Sequence, residues 1–375
     1  MIEIDVTCQR GDFTLQAQFA AASEGVIALF GRSGAGKTTL INLIAGLERP
    51  DAGRIVLDSH VLYDSGAGTM VPPEQRRLGY VFQDGRLFPH LSVRRNLTYG
   101  RHSNPDSTGF DRIVDLLDLR LFLDRKPGTL SGGEKQRVAI GRALLSQPDA
   151  LLMDEPLASL DAGRKAEILD YIERLREETH LPIVYVSHAS DEIVRLADTL
   201  VLLSDGEVAA VGPIEDLMSR LDLRPLTGRY EAGAVIPATV AGVQDEVGLT
   251  KLDFPGGILR VSASDLPAGR QLRVRVRARD VSLSLSPPSD ISILNVLPGT
   301  VQEIGDESGP QVDVLVDIGC PIWARITQHA RGRLGIEPGV QVYALIKAIA
   351  FDRHSLGYGG TRRSESGTHG IGMEE

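Results

Sequence analysis

The sequence predicts an α/β domain followed by an all-β domain, and three observations carry that prediction. Up to about Arg229, strand-like apolar runs alternate with helical patterns, which implies parallel strands joined by crossover helices. After Pro237 the texture changes to short alternating strands broken by glycine and proline, as in KLDFPGGILRV and QLRVRVRARDVSLSLS, the pattern of a small antiparallel barrel. The chain of 375 residues is longer than one hydrophobic core usually supports, and 42% hydrophobic content suffices for two.

The first domain is expected over residues 1–230. Its strands are read at 25–30, 78–83, 150–153 and 183–187, where short apolar runs end in polar residues. Its helices are read at 37–47, 134–146, 162–179 and 190–196, and the opening MIEIDV alternates like a further strand. The boundary falls in LRPLTGRYEAGAVIPA. Residues 231–289 are expected to hold a linker and the first strands of the β domain, and residues 290–352 the rest of it. Residues 353–375 carry too little apolar surface to fold and are expected to be a disordered tail.

Net charge is -10 with both signs interspersed, which argues against a nucleic-acid partner, because a phosphate backbone demands a positive field. Cys8 and Cys320 match no metal-ligand spacing and read as reduced, mostly buried thiols, consistent with the cytosol. The N-terminus has neither the basic region nor the apolar core of a signal peptide. No apolar run approaches the roughly 20 residues that cross a bilayer as a helix, so any membrane process here needs another chain to do the spanning.

The chemistry begins at GRSGAGKTT, residues 31–39, between the apolar strand VIALF and the helical run LINLIAGL. Gly31, Gly34 and Gly36 let backbone N–H groups of Arg32, Ser33, Ala35 and their neighbours converge on phosphate oxygens. Lys37 is placed for the β and γ phosphates, Thr38 for Mg²⁺, and the helix begun by Thr38 and Thr39 turns its positive end on the same anion. In ALLMDEP the apolar strand ends in Asp154, placed to orient Mg²⁺, and Glu155, placed to polarise an attacking water. His188 ends VYVSHAS and Gln83 ends LGYVFQ in the same strand-then-polar setting, and Gln83 can serve the metal and the water as an uncharged ligand. In LSGGEKQRVAIGRALL, Ser131 and Glu134 make an S-x-x-E capping box, while Gly132 and Gly133 leave the first turn bare, an anion-seeking surface.

These six segments, GRSGAGKTT, VFQD, LSGGEKQRVAIGRALL, LLMDEP, SLD and VSH, come in the order seen in the nucleotide-binding subunits of ABC transporters, which the first 230 residues closely resemble. The resemblance implies a P-loop NTPase fold with a RecA-like core and a helical subdomain, and ATP with Mg²⁺ as ligands. It makes residues 31–39 the Walker A loop, Gln83 the Q-loop residue, residues 131–134 the signature, Asp154 and Glu155 the Walker B pair, Asp161 the D-loop aspartate and His188 the switch histidine. It also implies a homodimer in which Ser131, Gly132, Gly133, Glu134 and Asp161 of one copy close the ATP site of the other. Many members stack an aromatic side chain on adenine; Phe13 is the nearby candidate, and a core-facing strand position is its competing reading.

A β-barrel extension after a single cassette resembles the importer branch with C-terminal TOBE domains. VFQDGRLFPHLSVRRNLTYG and LASLDAGRK are similar to the molybdate-importing branch, and SILNVLPGTV with VDVLVDIGCPIWARIT resembles its Mop-type, OB-like barrel. The resemblance implies two integral-membrane permease chains, an external molybdate-binding protein, and a peripheral position on the cytoplasmic face of the membrane. It places the permease contact at Leu87, Phe88, Pro89 and His90, with core packing as the competing reading. It also suggests regulatory molybdate at Ser292 and Asn295, although Leu294 stands where related sequences often carry arginine. The same ATPase could serve tungstate, sulfate, polyamine, iron or sugar uptake; a soluble ABC protein or an oxyanion store fits the chain less well. Arg273, Arg275, Arg277 and Arg279 alternate with apolar residues and read as one face of a solvent-facing barrel strand, and Trp323 reads as a core aromatic.

Overall fold

In the computed structural model, the described residues are all but 23, 100–106, 180, 221, 224–225, 227–232, 245–248, 263–265, 306–308, 349–350, 352–355 and 359–375. The first domain runs β1 (Ile2–Arg10), β2 (Phe13–Ala21), β3 (Val26–Phe30), α1 (Lys37–Ala45), β4 (Ala52–Leu57), β5 (His60–Asp64), β6 (Thr69–Met70), β7 (Leu78–Val81) and α2 (Val93–Leu97). It continues with α3 (Ser107–Leu116), α4 (Gly132–Leu145), β8 (Ala150–Asp154), α5 (Ala162–Thr179), β9 (Ile183–Val186), α6 (Ser190–Leu196), β10 (Thr199–Ser204), β11 (Glu207–Pro213) and α7 (Ile214–Ser219). The eight elements expected from periodicity are all present, α5 and α6 with the expected ends and the others with ends shifted by at most two residues.

One sheet of 11 strands runs through the domain in the order β6-β5-β4-β1-β2-β11-β10-β3-β9-β8-β7. At one end of it β3, β9, β8 and the edge strand β7 pair in parallel, and β3, β8 and β9 are buried along their whole length, which is why they read as unbroken apolar runs. The antiparallel wing β1, β2, β4, β5 and β6 went beyond what the sequence reading placed, except for the first strand. There β1 alternates buried and open positions because one face packs on α1 while the other meets solvent. Helices α2, α3 and α4 pack together on the opposite face of the sheet, forming the expected helical subdomain.

The β domain comprises β12 (Gly233–Gln244), β13 (Leu249–Phe254), β14 (Gly257–Val261), β15 (Gln271–Arg277), β16 (Val281–Ser284), β17 (Asn295–Ile304), β18 (Gln311–Asp317), β19 (Pro321–Thr327), β20 (Gln341–Ile346) and β21 (Leu356–Tyr358). Two antiparallel five-stranded sheets, β14-β13-β12-β15-β21 and β16-β20-β17-β18-β19, share one core. The division expected near residue 290 therefore runs through a single core, since β16 belongs to the second sheet. The tail expected from residue 353 is corrected: Leu356–Tyr358 pairs with β15 and extends the first sheet. Residues 359–375 lie outside the described residues.

The arginine strip is the largest departure from expectation. Arg273 and Arg275 are 5% and 3% exposed, because β15 lies against the first domain rather than solvent. Arg273 donates to Ala197 O at 2.7 Å, Glu215 Oε1 at 2.6 Å and Asp198 Oδ1 at 3.2 Å. Arg275 and Arg277 pair with Asp191, and only Arg279 keeps an exposed position, beside Asp280. Period-two alternation had grouped these side chains correctly, but it carries no information about what covers the face. Trp323 is fully buried, as expected, and its Nε1 donates to Ser219 O of α7 at 2.8 Å, a second bond across the junction. A cavity of about 640 Å³ opens beside these contacts, lined by Glu215, Asp253, Phe254 and Arg273. Both cysteines are free; Cys8 is buried, and burial pushes the Cys320 thiol up to about 12.

Replacing Arg273 with methionine leaves Glu215 and Asp198 without this partner. Those carboxylates are 20% and 24% exposed. The expected cost is therefore about 2–3 kcal/mol, at or below the low end for a broken buried pair. Trp323 is the single tryptophan, so its fluorescence during urea unfolding reports this junction. An unchanged midpoint in Arg273→Met contradicts the account.

Candidate nucleotide-binding site

Parallel pairing in register brings four distant segments to one edge. Leu29 is level with Val186, Val186 with Asp154, and Val81 with Met153. The loops leaving β3, β9, β8 and β7 therefore emerge side by side at the carboxyl ends of the strands, where open α/β sheets form their ligand crevice. Those loops carry residues 31–39, His188, Glu155 and Gln83.

The loop after β3 is a tight turn that glycine makes possible. Gly34 and Gly36 have φ of 84° and 100°, in the left-handed region. A Cβ on Gly36 would sit 2.8 Å from Leu15 Cδ1 and 3.1 Å from Phe13 Cζ, so Phe13 packs beneath the loop. Its half-buried position joins the core of the antiparallel wing, which favours the core reading over adenine stacking. Arg32, Ser33 and Gly34 are exposed, Ala35 is buried, and Thr39 is half-buried in the first turn of α1. Lys37 is 5% exposed and donates from Nζ to Gly31 O at 2.8 Å and Arg32 O at 2.9 Å. Burial pushes this ammonium below its ordinary value, with Glu155 and Asp154 opposing.

Thr38 Oγ1 donates to Asp154 Oδ1 at 3.3 Å. On its other oxygen Asp154 accepts from the Tyr80 hydroxyl at 3.5 Å, and Tyr80 also donates to Asn42 Oδ1 at 2.9 Å. Burial raises the Asp154 carboxyl, while the Thr38 hydroxyl, Tyr80 and Lys37 pull it back. A threonine hydroxyl, a carboxylate and the glutamine at position 83 are hard oxygen donors, the set that suits Mg²⁺. Gln83 is exposed two residues beyond β7.

Glu155 adopts φ of 45°, a strained conformation for a non-glycine residue, and its N–H donates to Val186 O at 3.0 Å. Its Oε1 lies 3.3 Å from Nδ1 of His188, which is largely exposed. An oriented carboxylate can accept a proton from water, and the imidazole beside it can donate to an anion.

The capping box forms as expected. Ser131 N donates to Glu134 Oε2 at 2.6 Å, and Glu134 N to Ser131 Oγ at 3.3 Å. The amides of Gly132 and Gly133 are thus the first-turn donors without an intrahelical acceptor. Cβ atoms added there would meet Leu160 Cδ2 at 3.0 Å and Arg164 at 3.8 Å, so the start of α4 packs against the start of α5. Asp161 there accepts from Arg164 N at 3.0 Å.

At the loop after Gln83, Pro89 and His90 are exposed, and Leu87 packs partly on the core. Phe88 is half-buried, its ring 4.1 Å from that of exposed Tyr99. Fully buried Asn96 fixes this loop, accepting from Phe88 N at 2.8 Å and donating to Phe88 O at 3.1 Å. In the β domain, exposed Ser292 remains available, whereas Asn295 is removed from the expected oxyanion pair. Its amide donates to Arg260 O at 2.9 Å and Ile346 O at 3.2 Å and accepts from Arg260 N at 2.7 Å, bonds that stitch strands together.

Sequence reasoning missed Tyr80 and Asn42 behind Asp154, Asn96 behind Phe88, and Glu192 behind His188. Glu192 had one signal, an acid four residues after a candidate histidine, though Asp191 beside it offered the same signal.

The sequence matches the ABC transporter family over residues 15–158 and the TOBE domain over residues 291–350. It is 52% identical to the molybdenum import ATP-binding protein ModC of Rhodospirillum rubrum, over 95% of this chain and 98% of that one. The protein of the same name from Paramagnetospirillum magneticum is 51% identical over 94% of this chain and 98% of its own. The solved structure of cbiO1 from Clostridium perfringens, part of the ABC transporter complex cbiONQ, superposes with a TM-score of 0.51 at 26% identity, covering 60% of this chain and 94% of that one. Among the described residues, no helix is long and apolar enough to cross a membrane.

Gly36→Ala tests the loop. A side chain held in the left-handed region costs about 1–3 kcal/mol, so nucleotide affinity should fall about tenfold with the fold intact. Calorimetric titration with ATP reads the loss, and wild-type affinity contradicts the reading.

Proposed function

Since this chain belongs to the ABC transporter family, with ATP-binding subunits of the molybdenum-import type as its relatives, we propose how its residues divide the work of ATP-driven uptake. The chain is the ATP-hydrolysing subunit of an ABC importer and couples hydrolysis to molybdate uptake. The observation that carries the mechanism is the convergence of Lys37, Thr38, Asp154, Glu155 and His188 at one sheet edge.

Lys37 and the amides of residues 31–39 hold the β and γ phosphates; the two carbonyl bonds of its Nζ are weak competitors for a phosphate. Thr38, Asp154 and Gln83 are the residues that would hold Mg²⁺. When bound, the ion neutralises phosphate charge and polarises the phosphoryl group. Glu155 takes the proton of the attacking water, and its strained backbone with the Val186 bond aims it. His188 orients Glu155 and contacts the γ phosphate. A second copy supplies Ser131, Gly132, Gly133, Glu134 and Asp161, so the two copies work as a homodimer glued by ATP.

The dimer acts on two permease chains through the loop of residues 87–90, where Phe88 is the apolar anchor and Asn96 keeps its backbone rigid. The permease spans the membrane, an external binding protein delivers molybdate, and this subunit sits peripherally on the cytoplasmic face.

The test is Glu155→Gln. ATP binding is retained, turnover falls about 10²–10⁴-fold, the range for losing general-base assistance, and ATP-bound dimer accumulates on size exclusion. In vesicles carrying the permease, this variant abolishes uptake of labelled molybdate. Hydrolysis at the normal rate overturns the role of Glu155; uptake of sulfate in place of molybdate overturns the cargo.

A further inference from the structure

Helix α6 starts two residues after His188, and β15 of the other domain grips it at both ends. At its C-terminal end Arg273 Nη1 donates to Ala197 O at 2.7 Å. In its first turn Asp191 pairs with Arg275, and Arg277 reaches the same carboxylate at 3.5 Å. Arg275 is 3% exposed, so this ion pair is anchored in the junction between the domains.

The neighbouring residue, Glu192, points into the ATPase domain and is 5% exposed. Its Oε2 accepts from the Ser187 hydroxyl at 2.8 Å and the Tyr185 hydroxyl at 2.9 Å, and Lys165 of α5 lies 3.4 Å from Oε1. Ser187 Oγ in turn accepts from Ala189 N at 3.0 Å. The residues on both sides of His188 are therefore tied to the first turn of α6, and that turn is tied to the β domain. A seven-residue helix in a close-packed setting moves as a body, so its two ends and the attached loop shift together.

We propose that the β domain positions His188 through the Arg275–Asp191 ion pair, with Glu192 and Ser187 transmitting the position of α6 to the histidine. This rests on the reading of His188 as a participant in hydrolysis. Asp191 and Arg275 are positioning residues: neither touches the nucleotide, and both set where His188 meets Glu155. The β domain thereby acquires a route to the hydrolytic step inside its own chain.

The experiment is steady-state ATP hydrolysis by the full-length protein carrying Asp191→Asn, Arg275→Met, both together, Arg275→Lys, Trp323→Phe or His188→Ala. Asp191→Asn and Arg275→Met should each lower kcat about 3- to 20-fold, the span expected of residues that act through neighbours. KM for ATP should stay within about twofold, because ground-state binding is untouched. The double variant should be no slower than the slower single one, since both remove one interaction. Arg275→Lys should restore most of the rate. Trp323→Phe breaks a different bond across the same junction, so it should lower Tm and leave kcat at the wild-type value. Asp191 is half exposed and its replacement isosteric, which keeps the test valid should Arg275→Met fail to fold. Wild-type kcat in Asp191→Asn, additive losses, or an equal loss in Trp323→Phe overturns the proposal. Wild-type hydrolysis by His188→Ala removes its premise and is distinguishable, because that failure lies in the histidine and not in the clamp.

Discussion

Everything in this molecule follows from the level pairing of β3, β9, β8 and β7. Four parallel strands in register must end together, so residues separated by more than 150 positions in the sequence meet along one sheet edge. Burial of β3, β8 and β9 along their whole length makes the edge rigid, and that rigidity sets Glu155 Oε1 3.3 Å from His188 Nδ1 and Lys37 Nζ 2.8 Å from Gly31 O. In the proposed homodimer this edge is one half of each nucleotide site. The start of α4 packs against Leu160 and the Arg164 side chain, and in the proposed dimer its first-turn amides would face the phosphate loop of the other copy.

The α/β architecture was legible because each central strand is an apolar run followed at once by polar, chemistry-bearing residues, and each following helix keeps its period. The site was legible for the same reason: strand ends announce crevices. What stayed hidden is what depends on partners far away in sequence. Arg275 meets Asp191 across 84 positions and Arg273 meets Asp198 across 75, and nothing local distinguishes an arginine that faces water from one that faces an acid on another domain. Asn295 illustrates the converse error. A polar side chain beside Ser292 suggested a ligand, yet a buried amide must satisfy its own donors and acceptor first, and three backbone groups claim it.

The junction between the domains combines buried ion pairs with an apolar contact of Val235 and Trp323 against α7. Asp198 joins three parts at once, accepting from Val26 N at 2.9 Å, Arg176 at 2.6 Å and Arg273 at 3.2 Å. Buried ion pairs contribute little net stability against an apolar alternative, but they define a single docking geometry, since any other leaves a charge uncompensated. The arginines of β15 at both ends of α6 give this junction fixed geometry more than tight adhesion.

The central claim is that a catalytic pocket is completed by the α4 start of a second copy. Cysteine cross-linking tests it most directly, using Ser33→Cys in the phosphate loop and Ser131→Cys at the capping box, with Cys8 and Cys320 replaced by serine. With ATP present and hydrolysis blocked, the account predicts cross-links between copies, two per dimer, that disappear without nucleotide. Cross-links that form within one chain, or none under any condition, would contradict it.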